Sequence, residues 1–279
     1  VTRCIQENAL LAHAVGAGKT AVMITAAMEL IRLKLATKTM IVVQNATLQQ
    51  FAEFAPKLYP TANILVATKN DLVKEKRKRF LGRIATGKWD IVIIAQSSFN
   101  MIEDNPDLVR AKYQSELDEL ERIQGARGIA MQPNRRQKKA EEQRKRSLKK
   151  RLDKLEDRHA SEDIVYFDQL GVDCIFMGEV HSYKRNFFVT KMTRVKGLDN
   201  AASQKAFSLT LKLNQIREKT GGRNIYTATG TPVTNQLPEL FNMVRYVSPE
   251  SLSAFHVDTF VRFASTFTQS ETAMELHAT

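Results

Sequence analysis

The sequence predicts an α/β fold: a parallel sheet with helices on both faces, interrupted by a charged helical insertion. Three observations carry this expectation. Short, largely apolar runs recur at residues 9–12, 40–43, 64–67, 91–95, 172–177 and 224–228. Helical patterns lie between them, at 21–35, 48–58, 71–86, 203–218 and 237–247. Runs of this length, separated by helices, read as strands covered on both faces, which is the parallel-sheet arrangement. The third observation is a glycine loop, His13-Ala14-Val15-Gly16-Ala17-Gly18-Lys19-Thr20, that joins the first apolar run to the first helical pattern.

That loop reads as a phosphate cradle, because a strand feeding glycines feeding a helix is the context such a cradle needs. Gly16 and Gly18 allow the backbone to curl so that its N–H groups face an anion, with the helix N-terminus behind them. Lys19 is placed to reach the β- and γ-phosphates of a nucleotide, and the Thr20 hydroxyl to ligate Mg²⁺. The strict pattern has glycine where this chain has His13.

The segment from 107 to 160 departs from the alternation. It holds 16 Lys and Arg against 10 Asp and Glu, half of the chain's net charge of +12. Leu117, Leu120 and Ile123, then Leu148, Leu152 and Leu155, recur at helical spacing, while Gly125, Gly128 and Pro133 break the pattern between them. The expected organisation is therefore one α/β lobe from 1–106 and 161–279, with a basic helical hairpin at 107–160. Two readings of the hairpin stay open: a solvated charged coil without a partner, or an arm lying along a phosphate backbone.

Bulk properties bound the function. The 279 residues suffice for a full core, as one large or two small domains. A chain 43% hydrophobic and 26% charged has the composition of a globular protein. A pI near 9.7 favours an anionic partner, nucleic acid first. Cys4 and Cys174 are too few for a zinc cluster and predict no disulfide, as in a reducing cytosol. No apolar run approaches the roughly 18 residues of a membrane span. The start, Val-Thr-Arg-Cys-Ile-Gln, has neither signal-peptide character nor an initiator Met, and reads as the start of a fragment.

Two further constellations follow the phosphate loop. In Cys174-Ile175-Phe176-Met177-Gly178-Glu179-Val180-His181 an apolar strand ends in polar groups, where a nucleotide hydrolase needs a metal-holding acid and a base for water. Glu179 is the candidate base and His181 a candidate contact to the γ-phosphate region; Gly178 stands where the metal-binding Asp is expected. In Thr229-Gly230-Thr231-Pro232-Val233-Thr234-Asn235 a strand ends in hydroxyls and a turn, able to bond the catalytic acid and the next structural layer. A plain strand-to-helix turn, stiffened by proline, is the alternative.

Together these residues resemble motifs I, II and III of superfamily 2 helicases: Gly16 to Thr20, Gly178 to Asn186, and Thr229 to Asn235. The chain is most similar to the chromatin-remodeller-like branch of DNA translocases. It looks like the helicase region of the large methylase–helicase proteins of phages and mobile elements, whose features recur as the loop from His13, Leu58-Tyr59-Pro60, Trp89-Asp90 to Phe99, and a charged insertion before motif II. The resemblance implies a RecA-like lobe using ATP and Mg²⁺ in a bacterial or phage-infected cytoplasm. Gly16, Ala17, Gly18, Lys19 and Thr20 would bind the nucleotide, Lys19, Glu179 and His181 would serve catalysis, and Thr229, Gly230 and Thr231 would couple hydrolysis to motion. Gln44 and Asn45 match the first DNA-contacting motif, although the family usually has Pro at 44, and Ser97 and Ser98 match the second. Gln6 stands where an adenine-reading glutamine belongs.

The family's motif II reads Asp-Glu-Ala-His, so Gly178 and Val180 are departures. Asp173, five residues upstream of Gly178, is too far along the strand to substitute. The family's second lobe, carrying an arginine finger, is expected on a longer polypeptide. The implied partner is nucleic acid, DNA in the first instance, with no membrane. Two functions remain at this point: an ATP-driven DNA helicase or translocase lobe, or a degenerate non-hydrolysing module that binds nucleic acid or a partner protein. A small-molecule kinase explains neither the Thr229 turn nor the basic segment.

Overall fold

The computed structural model describes residues 1–125, 135–156, 164–186, 203–232 and 237–269. Gly128, Pro133, Val233, Thr234 and Asn235 lie outside the described residues, as does the side chain of Ile123. In chain order the elements are α1 (Thr2–Gln6), β1 (Ala9–Ala12), α2 (Lys19–Arg32), β2 (Thr39–Val43), α3 (Leu48–Leu58), β3 (Ile64–Val66), α4 (Lys74–Thr86), β4 (Ile91–Ala95) and α5 (Gln96–Phe99). Then come α6 (Pro106–Gly125), α7 (Arg135–Glu156), β5 (Cys174–Gly178), α8 (Gln204–Thr220), β6 (Ile225–Thr229), α9 (Leu237–Val247), α10 (Pro249–Ala254) and α11 (Phe260–Phe267).

The six strands form one sheet in the order β1-β6-β5-β2-β4-β3. Every pairing is parallel. Residues of β2, β4, β5 and β6 are buried throughout because both faces of the sheet are covered. Alternation assigns the faces. Met40, Val42, Val92, Ile94, Ile175 and Met177 pack under α4, α5, α8 and α9. Ile41, Val43, Ile91, Ile93, Phe176 and Ala228 pack under α2 and α3. Each fully buried Ile, Leu or Val contributes about 1.5–3 kcal/mol relative to exposure. This is the parallel α/β arrangement, with helices on both faces, that the strand and helix spacing predicts.

Most predicted elements agree with the structure to within two or three residues, and α3 and α9 match their predicted spans. The helix expected from residue 71 is divided. A 3₁₀ turn at Lys69–Leu72 is closed by reciprocal bonds between Thr68 and Asp71, and α4 starts only at Lys74. Asp71 satisfies the Thr68 N–H at 2.8 Å, which caps the start of the turn, and Val73, extended at φ −62° and ψ 150°, separates the turn from α4.

α6 and α7 form an antiparallel hairpin with its own small core. Tyr113, Leu117, Leu120, Leu148, Leu152 and Leu155 meet Phe207 and Leu211 of α8. Tyr113 stacks on Phe207 with ring centroids 4.5 Å apart. At the hairpin's base the fully buried Lys212 ammonium pairs with Asp104 at 2.7 Å and lies 5.5 Å from the Phe99 ring centroid. Burial pushes Lys212 below the usual lysine range, and Asp104 opposes that shift. Asp173 caps the opposite edge of the sheet, accepting from the Thr37 and Lys38 amides at 2.8 and 2.9 Å, so it stands away from the loops after the strands. Cys4 and Cys174 are buried free thiols. Among the described residues no helix is long and apolar enough to cross a membrane.

Candidate functional site

In a parallel sheet the loops after the strands gather at one edge, and the strand order decides which are neighbours. Here β6 lies between β1 and β5, so the phosphate loop, the Thr229 turn and the Glu179 turn adjoin. Gly16 and Gly18 have φ of 85° and 78°. A Cβ at either would meet no atom within 4 Å, so it is this left-handed backbone, not lack of room, that calls for glycine. Gly18 is the N-cap of α2, whose first turn contains Lys19 and Thr20 and no acidic residue. The helix therefore begins two residues before its predicted start, and its partial positive charge is not offset locally. The Lys19 ammonium folds into the loop, donating to the His13 and Ala14 carbonyls at 3.0 and 3.1 Å.

Gly178 ends β5 in a crowded position. A Cβ there would lie 3.1 Å from the Val42 carbonyl oxygen and 3.8 Å from the Met23 methyl. Glu179 then takes a left-handed φ of 51°, unusual for a side-chain-bearing residue, and a 3₁₀ turn follows at Val180–Tyr183. Its carboxylate oxygen lies 3.2 Å from His181 Nδ1 and accepts from the Thr229 hydroxyl at 3.4 Å. Thr229 Oγ1 is itself 3.2 Å from His181 Nδ1 and accepts from the Thr231 amide at 3.1 Å. Glu179, His181 and Thr229 thus form a closed triangle. A Cβ on Gly230 would stand 3.2 Å from a Val15 methyl and 3.7 Å from the Lys19 Nζ, so the turn after β6 abuts the phosphate loop.

A cavity of about 350 Å³ opens beside these groups. Gly16, Gly18, Lys19, Thr20, Gly178 and Glu179 line one side; Gln44, Gln50, Phe51 and Phe54 line the other. The size and the lining, apolar rings facing a helix N-terminus and a lysine, suit a nucleotide. Among the described residues no group of three or more His, Cys, Asp or Glu side chains is built to hold a metal. A Mg²⁺ at this site fits only as a nucleotide-borne ion, because Mg²⁺ accepts few protein ligands beside phosphate oxygens and water. The Thr20 hydroxyl is the protein group suited to it.

The expected nucleic-acid residues separate. Asn45 and Ser97 meet, the Ser97 hydroxyl donating to Asn45 Oδ1 at 3.0 Å, and both are exposed. Ser98 is buried, and Gln44 lines the cavity instead of joining that pair. Gln6 is exposed at the end of α1 and does not line the cavity. One residue escapes the sequence reading: Gln96 donates to the Gly178 and Glu179 carbonyls at 2.8 and 3.3 Å. The signal available was a polar residue directly after the all-apolar β4.

Fold and site define the class: a parallel α/β lobe with a glycine loop at a helix N-terminus beside an acid–histidine–threonine triangle. A family model described as a probable helicase domain matches residues 4–279, and the chain belongs to that family. Among curated proteins, the defense against restriction protein B of Escherichia phage P1 is 27% identical over 109 residues, 37% of this chain and 5% of that protein. Among solved structures, the Sulfolobus solfataricus SWI2/SNF2 ATPase core in complex with dsDNA is 13% identical with a TM-score of 0.43, covering 94% of this chain and 34% of that one. The chain thus spans about a twentieth of the curated relative's length.

Proposed function

We propose that this chain is the ATP-binding lobe of a superfamily 2 DNA helicase or translocase, coupling ATP hydrolysis to movement on DNA. The observation that carries the reading is the adjacency of Lys19, at the start of α2, to Gly230 and to the Glu179–His181–Thr229 triangle. In this reading the α2 N-terminus and the loop amides hold the phosphates, Lys19 neutralises their charge, and Thr20 contributes its hydroxyl to Mg²⁺. When bound, Mg²⁺ supplies charge neutralisation at the phosphate oxygens. The Glu179 carboxylate takes a proton from the attacking water, held in place by His181 and by the Thr229 hydroxyl. Thr231, bonded to Thr229, and Gly230, against Lys19, link this acid to the turn after β6, which is the coupling role. Asn45 and Ser97 form the nucleic-acid-facing pair. The organisation that suits this is one lobe, 1–106 and 161–279, with 107–160 as an insertion, working with a second lobe on a longer polypeptide in a bacterial or phage-infected cytoplasm.

ATP turnover measured with and without duplex DNA tests the proposal. Turnover that rises with DNA and disappears in Glu179→Gln supports it. Turnover indifferent to both contradicts it. Gly178 favours a second reading, a module that binds nucleotide and nucleic acid without hydrolysis. Losing an organising acid forfeits several kcal/mol of transition-state stabilisation, about 1.4 kcal/mol per tenfold in rate. Nucleotide binding with no measurable turnover, and turnover appearing in Gly178→Asp, selects that second reading.

A further inference from the structure

The α6–α7 hairpin sorts its charge. α6 holds three basic residues against five acidic ones, and α7 eleven against four. The acids of α6 are used inward. Glu116 pairs with Arg144 at 2.7 Å, both nearly buried, and Glu121 pairs with Lys145 at 2.7 Å. Lys145 and, more weakly, Lys149 hold the Glu121 carboxyl below its usual range. The outward face of α7 retains exposed Arg135, Lys139, Arg146, Lys149, Lys150 and Lys154, with Glu142 and Asp153 the described exposed acids among them. From Lys139 to Lys154 this row runs about 22 Å at 1.5 Å per residue.

The hairpin's direction places this row. Asp104 meets Lys212 and Tyr113 meets Phe207, so α6 runs antiparallel to α8. Arg151 reaches Gln204, the first residue of α8, at 3.4 Å. The start of α8 lies beside the segment that follows the Glu179 turn, Ser203 donating its amide to the Arg185 carbonyl at 3.0 Å. The part of α7 preceding Arg151 therefore extends past the start of α8, on the sheet edge that carries the phosphate loop and the Asn45–Ser97 pair.

We infer that the outer face of α7 is a second, sequence-independent contact to duplex DNA, a rigid strut that lies along one phosphate backbone beside the lobe. The inference rests on the nucleic-acid reading above and not on the nucleotide site. Duplex is favoured over a single strand because α7 has no aromatic residue on which bases could stack, and single-strand grooves depend on such stacking. A helix with exposed cations at spacings of three, four and seven residues on one face offers a line of charge to a backbone of fixed charge spacing.

The test is duplex-DNA affinity across 50–200 mM salt, by fluorescence anisotropy with a random-sequence 20-base-pair probe. The quadruple variant Lys139→Gln, Arg146→Gln, Lys149→Gln, Lys150→Gln removes four exposed cations that hold no core. A second quadruple, Arg3→Gln, Lys57→Gln, Lys88→Gln, Arg262→Gln, removes the same charge elsewhere on the surface. The expected result is a log–log salt slope reduced by about 3–4 and an affinity at least tenfold weaker for the hairpin variant, with a much smaller change for the control. Equal changes in both variants, or an unchanged slope in the hairpin variant, overturn the inference while the helicase reading stands. A wild-type chain that binds no duplex at any salt overturns both. A loss confined to single-stranded DNA or to an acidic polypeptide also overturns it.

Discussion

Gln96 donates its side-chain amide to the Gly178 carbonyl at 2.8 Å, tying the end of β4 to the end of β5 across the intervening β2. The next residue, Ser97, holds Asn45 at the end of β2. One short helix, α5, therefore fixes both the backbone of the acid-bearing turn and the residue expected to face nucleic acid. Glu179 keeps its left-handed backbone only while such contacts outweigh the strain.

Removing the Gln96 amide tests that link. Gln96→Ala should lower stability by about 1 kcal/mol, the net worth of one partly buried hydrogen bond, with an unchanged denaturant m-value. The effect on DNA-stimulated ATP turnover should exceed the effect on nucleotide affinity. Equal losses in both would assign Gln96 to general stability alone.

Gly230→Ala probes the contact between the turn after β6 and the phosphate loop. The new methyl would press on Val15 at 3.2 Å and on Lys19 at 3.7 Å. Its cost in folding should be at most about 1–3 kcal/mol, the usual range for a crowded insertion. Nucleotide affinity measured by calorimetry should fall clearly, and a variant that binds as the wild type does would separate the turn from the loop.

Restoring an acid at Gly178 has two consequences of opposite sign. Gly178→Asp adds a metal-holding group, but its Cβ must open the 3.1 Å gap to the Val42 carbonyl. A lower melting temperature together with a stronger dependence of nucleotide binding on Mg²⁺ is expected. If Mg²⁺ dependence is unaltered, residue 178 does not face the metal.

The buried cation at the hairpin's base should matter far more than surface pairs. Lys212→Met leaves Asp104 without its partner and should destabilise by about 3–5 kcal/mol in chemical denaturation. Arg262→Ala, which breaks an exposed pair with Asp258, should change stability by less than about 1 kcal/mol. Similar effects from the two would mean that Lys212 is not desolvated as described.

The two cysteines report on opening. Burial raises both thiols above their ordinary range, so neither is an available thiolate near neutral pH. Reaction with a thiol reagent should be slow under native conditions and rapid in denaturant. Cys174, in the central sheet, should be protected longer than Cys4 near the chain start, and fast native modification of Cys174 would contradict the fold.

The sheet was legible because runs such as Ile91–Ala95 are apolar throughout, a pattern that only burial on both faces explains. The glycine loop after β1 was legible because Gly16 and Gly18 mark left-handed backbone, φ 85° and 78°, that few other residues accept. The hairpin core was legible in the leucine spacing, and Leu117, Leu120 and Leu148 are buried in it. What the pattern could not reveal depends on contacts between distant segments. Gln96 meets Gly178 across 82 residues, Phe51 and Phe54 enter the cavity from α3, and Lys212 finds Asp104 across 108 residues. Ser98 matched a motif by position, yet the turn of α5 points it inward.

The proposed nucleotide site rests on Lys19, at the head of α2. Isothermal titration of Mg-ATP into the wild-type chain and into Lys19→Ala tests it most directly. Saturable one-site binding to the wild type is expected, weakened by at least tenfold in the variant, whose fold should be intact because, among the described residues, Lys19 bonds only carbonyls of its own loop. Equal affinity in the two proteins, or no binding to either, would contradict it.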